Sequence, residues 1–300
     1  MTHDPHWPSA ASLVHDAPVK DRRNVGLLGV FTYTTAVTTR SWHSTPDAIR
    51  EALERFSTWS YSDGLDLADV VALVDYGDVF DPDGADGSDR VASALARLDD
   101  SLAMALILGG DNAATWHAMH GLAGAALADW GLITLDAHLD LRDGESNGSP
   151  VRQLLAAGLD GHHVVQIGLA DFSNSPFYAA RARDAGITTV SRDELRTQHL
   201  EDVVARALDV AGAEGRAIYV DIDMDAADRS VVPGCPAAAP GGLSADEMRR
   251  FVRCVTADPR VRAMDITEID VGRDSDDQRT VRLAALLVLE ALAGVRRRTS

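Results

Sequence analysis

The stretch WGLITLDAHLD, residues 130–140, is an apolar run that turns acidic at Asp136 and keeps alternating to Asp140. Successive side chains of an extended chain point to opposite faces, so Asp136, His138 and Asp140 share a face: two carboxylates flanking an imidazole. That is a metal-ligand arrangement. A strand running out into polar loop residues gives the same local pattern, so the reading depends on the rest of the chain.

Three further apolar runs end in polar clusters. AIYVDIDMDAADRS (217–230) places Asp221, Asp223 and Asp225 on one face, where carboxylates repel one another unless a cation neutralises them. MALILGGDN (104–112) ends on Gly109, Gly110, Asp111 and Asn112, and two glycines permit close backbone approach. VRAMDITEID (261–270) offers Asp265, Glu268 and Asp270.

Working outward, strand-like runs occupy 24–31, 69–76, 104–110, 131–136, 163–169, 187–191, 217–223 and 261–267. Helical patterns fill 45–57, 88–102, 113–123, 150–157, 176–185, 193–211, 244–257 and 277–298, with caps at Thr45 and at Ser244, where Glu247 completes a capping box. Strands alternating with amphipathic stretches predict a three-layer α/β sandwich with a largely parallel sheet of roughly eight strands. No linker or repeat interrupts 24–300, which reads as a single domain behind a flexible N-terminal tail, 1–23. The long loops 141–150 and 226–243 follow strand ends, where open α/β sheets place their ligands.

Composition excludes several partners. The 300 residues hold 46 Asp+Glu against 28 Lys+Arg, a net charge of −18, which repels nucleic acid. No apolar run is long enough to span a bilayer and no signal-peptide pattern opens the chain, so a cytoplasmic protein without a membrane partner is expected. Two cysteines make no disulfide framework, which suits a reducing compartment.

The ordered set GGDN (109–112), DAHLD (136–140), DIDMDAADRSVVPG (221–234) and DITEID (265–270) resembles the four signature regions of the ureohydrolases: arginases, agmatinases and formimidoylglutamases. The resemblance runs from about Val25 to the last helix and implies an arginase-like fold with two Mn2+ per subunit. It places Asp136 and Asp223 as bridging ligands, Asp140 on one metal, and His138 with Asp225 on the other. Asp223 and Asp225 lie eleven and nine residues before Gly234, matching the family register and leaving Asp221 out of the ligand set. Asn112 stands where most members have a histidine ligand; a neutral amide oxygen is the weaker donor, so the first manganese is expected to be held loosely.

By the same resemblance, Glu268 pairs with a cationic amidinium and Asp140 doubles as the proton carrier to the leaving nitrogen, while a hydroxide bridging the metals attacks carbon. The run DLR…NGSPVRQ (140–153) is similar to formimidoylglutamases, and Arg142, Asn147 and Arg152 supply donors for a substrate bearing two carboxylates. Hydrolysis of N-formimidoyl-L-glutamate to L-glutamate and formamide, in histidine degradation, is therefore the leading expectation. A guanidino-acid hydrolase releasing urea and a non-catalytic metal-binding relative are the alternatives. Family members often assemble as homo-oligomers, of a size no residue here specifies.

Overall fold

The computed structural model describes residue 4, residues 6–38 and residues 44–298. All eight expected strands form: Arg23–Val30 (β2), Val71–Asp78 (β5), Met104–Gly109 (β6), Trp130–Leu135 (β7), Val164–Leu169 (β8), Thr188–Ser191 (β9), Ala217–Asp223 (β10) and Val261–Thr267 (β11). A ninth, Val14–His15 (β1), pairs with β5 at the sheet edge. The order is β1-β5-β2-β6-β11-β10-β7-β8-β9, and every neighbouring pair is parallel. Trp59–Ser60 (β3) and Leu65–Asp66 (β4) make a separate small hairpin.

The segment expected to be a loose tail is thus tied to the domain from Ser9 onward. Ser9 caps a 3-10 turn, Ala10–Leu13, whose Ala10 and Leu13 are fully buried, and the chain leads directly into β1. Residues 1–3 and 5 lie outside the described residues.

Helices cover both faces. Thr45–Ala52 (α1), Leu200–Ala211 (α7), Ala245–Val255 (α8) and Arg279–Arg296 (α9) bury Ile49, Val203, Phe251 and Leu287 against one face. Gly87–Leu95 (α2), Ala113–Ala123 (α3), Pro150–Ala157 (α4) and Pro176–Asp184 (α5) bury Val91, Ala118, Leu154 and Ala182 against the other. The single helix expected over 193–211 is two, because Gln198 is extended (φ −122°, ψ 153°) between Arg192–Thr197 (α6) and α7. Ser44, not Thr45, caps α1, while the Ser244–Glu247 box on α8 forms as expected. No helix of the described residues is long and apolar enough to cross a membrane.

Strand register stacks the polar residues in two rows. Asp265, Asp221, Thr134 and Gln166 are direct neighbours across β11, β10, β7 and β8, all fully buried on the face covered by α3. Two residues further on, side chains return to that face with Thr267 and Asp223 in register and Asp136 just past β7. The upper row opens into the loops; the lower row is a buried polar floor beneath it.

Candidate metal centre

The carboxyl ends of β6, β7, β10 and β11 converge, bringing Asn112, Asp136, His138, Asp140, Asp223, Asp225 and Glu268 to one basin. Asp136, Asp223 and Asp225 are each oriented by backbone N–H groups. His138 N donates to Asp136 Oδ1 (2.7 Å), Asp225 N to Asp223 Oδ1 (2.7 Å) and Ala137 N to Asp225 Oδ1 (3.1 Å). His138 Nδ1 lies 2.8 Å from Asp225 Oδ2 and 3.5 Å from Asp136 Oδ1. One ligand atom each from Asp136, His138 and Asp225 falls within 4.8 Å of the others.

Two residues of the basin have left-handed backbones that side chains ordinarily avoid: Asp140 (φ +51°) and Glu268 (φ +63°). Such strain persists where the surroundings over-determine it. Glu268 N is tied to Gly110 O (2.8 Å), and Gly110 in turn packs tightly on Thr32, where a Cβ would sit 2.1 Å from Thr32 O. Glu268 Oε1 in turn accepts from Asn112 N (2.9 Å) and Asn147 Nδ2 (2.8 Å).

The electrostatics call for a cation. Burial, reinforced by Asp225, pushes Asp136 up to about 7, and its Oδ2 is buried with no hydrogen-bond partner among the described residues. Burial and then neighbouring carboxylates raise Asp140 and Asp223 well above the usual range. Burial opposes charge on His138, but Asp225 and Asp136 outweigh it and push the imidazole up to about 12, while His138 holds Asp225 below the ordinary value against its own burial. Four buried carboxylates sharing one imidazole are far from compensated. The donor set, oxygen-rich with a single imidazole, fits hard divalent ions such as Mn2+.

The other expected residues fare differently. Arg142 lines the basin, a cavity of about 130 Å³, and an adjoining one of about 160 Å³, and its guanidinium has no partner among the described residues. Asn147 also lines the basin. Arg152 does not: its Nε donates to Arg142 O (2.8 Å) and its NH2 to Gly144 O (2.5 Å), so it braces the loop from outside. A helix-borne arginine twelve residues past Asp140 points back along its own loop, which spacing alone did not show.

Asn112, expected as an oxygen ligand, turns its amide nitrogen to Asp140. Its Nδ2 donates to Asp140 Oδ2 (2.5 Å), and its Oδ1 accepts from the hydroxyls of Thr115 and Thr267. Asp221, left out of the ligand set, lies in the floor beside Asp265; burial and then Asp265 raise its carboxyl well above the usual range. Sequence reasoning offers Asp265 as a strand-end carboxylate but not its link to Thr115, nor that of Thr267 to Asn112, because contacts spanning some 150 residues of chain leave no local signal.

A parallel three-layer scaffold with a carboxylate-rich basin at the strand ends defines the metal-dependent α/β class. Within it, the chain belongs to the arginase family, whose model matches residues 23–294. It is 32% identical over 300 residues to a formimidoylglutamase of Halalkalibacterium halodurans, covering 97% of this chain and 93% of that one. The crystal structure of formimidoylglutamase from Bacillus subtilis superposes with a TM-score of 0.91 at 29% identity, over 100% of this chain and 96% of that one. A Trypanosoma cruzi formiminoglutamase solved with Mn2+2 shares the fold, with a TM-score of 0.87 at 23% identity over 98% and 100% of the two chains.

Proposed function

We propose that this chain is a binuclear-manganese formimidoylglutamase that hydrolyses N-formimidoyl-L-glutamate to L-glutamate and formamide. The observation that carries the reading is a charge arrangement: the Glu268 carboxylate, held by Asn112 N and Asn147 Nδ2, and the Arg142 guanidinium, without a partner among the described residues, line the same basin. That suits a substrate with an amidinium at one end and carboxylates at the other. An agmatine-like substrate, cationic at both ends, gains nothing from Arg142.

Asp136, His138, Asp140, Asp223 and Asp225 are the residues to hold the metals. Bound there, two divalent ions would compensate the carboxylates and lower the pKa of a shared water towards neutrality. The chain's own groups do the rest. Glu268 orients the amidinium, its Oε1 pinned by Asn112 N and Asn147 Nδ2. Asp140, whose Oδ2 is held by Asn112, carries a proton to the leaving nitrogen. Arg142 takes a substrate carboxylate, and Asn147 fixes the loop that shapes the mouth. Arg152 acts only by bracing that loop. We take residues 9–298 as the catalytic unit, because Ala10–Leu13 and β1 pack into the same domain.

A manganese-reconstituted screen over formimidoylglutamate, arginine, agmatine and guanidinobutyrate tests the assignment. Formamide from the first and no urea from the others is expected. Urea release as the dominant activity would move the chain to the guanidino-acid hydrolases. No turnover with two metals bound would make it a non-catalytic relative.

A further inference from the structure

We propose that Thr267 is a positioning residue: its hydroxyl locks the Asn112 side-chain amide with the NH2 group turned to Asp140. The inference rests on the metal-centre reading above. Asn112 is 1% exposed, and the two ends of its amide meet different neighbours. Nδ2 donates to Asp140 Oδ2 at 2.5 Å. Oδ1 accepts from Thr115 Oγ1 at 2.8 Å and from Thr267 Oγ1 at 3.0 Å. The ends of an amide are nearly identical in shape, so only the neighbours' hydrogen-bonding capacities distinguish this orientation from one turned by half a rotation.

Thr115 does not distinguish them. Its hydroxyl also reaches Asp265 Oδ2 at 2.8 Å, so it can give its proton to that carboxylate and accept an N–H from a turned amide. Asp265 is well placed for this, being held by the Tyr219 hydroxyl at 2.7 Å.

Asp140 Oδ2 distinguishes them while its carboxylate is ionised and free to accept, whereas Thr267 distinguishes them whatever the state of Asp140. Thr267 is fully buried, and among the described residues its hydroxyl has one hydrogen-bond partner, Asn112 Oδ1. If the amide turned over, an N–H would face Thr267 Oγ1 and the hydroxyl proton would be left without an acceptor. A buried unsatisfied donor is costly, whereas the observed arrangement satisfies it.

The consequence lies at the metal centre. Locked this way, Asn112 gives the basin a hydrogen-bond donor and withholds its oxygen. Asp140 has one oxygen held and the other left for its own work.

The test compares wild type with Thr267→Val, Thr267→Ser and Thr115→Val. Each is titrated with Mn2+ by electron paramagnetic resonance, melted, and assayed for formamide release. Valine keeps the shape and removes the hydroxyl, freeing the amide to present its oxygen. The weaker manganese affinity should tighten at least about fivefold, the gain of one neutral oxygen ligand. Turnover should fall at constant KM because Asp140 loses its donor. Thr267→Ser should match wild type on both readouts, and Thr115→Val should leave the manganese affinities unchanged. Thr267→Ala removes the same hydroxyl and serves if valine fails to fold.

Wild-type manganese affinities and turnover in Thr267→Val would overturn the proposal. So would tightening in Thr115→Val, since the lock would then not be Thr267. Wild-type protein that takes up no manganese would instead defeat the metal-centre reading, a distinct result.

Discussion

Asn147 Nδ2 donates to Glu268 Oε1 across 2.8 Å, bridging the loop after β7 to the end of β11 over 121 residues of chain. The same Asn147 is fastened on its other side, with Oδ1 accepting from Val37 N at 3.0 Å. Three separate segments therefore meet on one amide, and the carboxylate proposed to orient the substrate is one of its partners. Asn147→Ala should lower kcat/KM about tenfold, the scale of one hydrogen bond to a charged group. Asn147→Asp should lower it further, because two carboxylates would then face each other. Steady-state formamide release measures both, and equal values for the two variants would show that charge at this contact is irrelevant.

Arg142 and Arg152 should separate cleanly. The Arg142 guanidinium has no partner among the described residues and lines the basin, so Arg142→Ala should raise KM for formimidoylglutamate about tenfold or more while leaving the melting temperature unchanged. Arg152 binds the carbonyls of Arg142 and Gly144, so Arg152→Ala should instead loosen the loop. Faster amide exchange over 142–148 would report it. An Arg152→Ala variant with rigid loop amides and a raised KM would return Arg152 to the substrate.

The sequence made the ligand residues legible because each cluster follows directly on an apolar strand. The period of two itself stops there: Asp136 and His138 lie past β7, Asp140 is left-handed and Asp225 sits in a 3-10 turn after β10. Asp136, His138 and Asp140, and likewise Asp223 and Asp225, could be read that way. The eight long strands were legible as those same apolar runs, whereas β1 is two residues long and too short to show one. What was not legible depends on contacts remote in sequence. Spacing offers Arg152 to the substrate, but a long side chain can fold back on its own loop, as this one does onto Arg142 O and Gly144 O, and spacing does not say which way. Position alone makes Asn112 an expected ligand; on the proposal above, which of its atoms faces Asp140 depends on Thr267, 155 residues away. The floor of Asp265, Asp221, Thr134 and Gln166 emerges only from strand order, which brings β11 beside β10 and β10 beside β7.

Chelated protein should lose stability as pH rises, opposite to ordinary acid denaturation. Asp136, pushed up to about 7 in the fold, has an unfolded value near 3.8. Between these values the unfolded chain releases the proton and the folded chain keeps it, so stability falls as pH climbs towards 7. His138 acts in the same direction: raised to about 12, it contributes stability that is complete below pH 6.5 and declines above it. Asp225, held below its ordinary value, contributes stability that is already complete above about pH 4 and does not oppose the trend. Melting in the presence of a chelator should therefore show a higher midpoint at pH 5 than at pH 8. Saturating Mn2+ should raise the pH 8 midpoint most, because ions that bind only the folded state stabilise it where proton competition is weakest. A chelated midpoint that rises from pH 5 to pH 8 would contradict the electrostatic account of the basin.

At the opposite end of the sheet, Arg298 fastens the chain after α9 to the starts of two central strands. Its Nε donates to Thr256 O (2.9 Å), NH1 to Ala103 O (2.7 Å) and NH2 to Val261 O (2.9 Å), and burial pulls its guanidinium down to about 10. Ala103 immediately precedes β6 and Val261 opens β11, so the planar fork joins both strands to the end of α8. Arg298→Ala would strip these carbonyls of a charged donor and should cost about 1–3 kcal/mol, or roughly 2–5 °C in melting temperature. Arg298→Lys should recover only part of this, because one ammonium cannot match a rigid fork aimed at three acceptors. Neither change should alter kcat/KM of the folded enzyme more than about twofold, since the basin lies at the other ends of the same strands. Paired calorimetry and kinetics would check both halves, and a large loss of activity in protein that melts like wild type would show that this end of the sheet communicates with the metal centre.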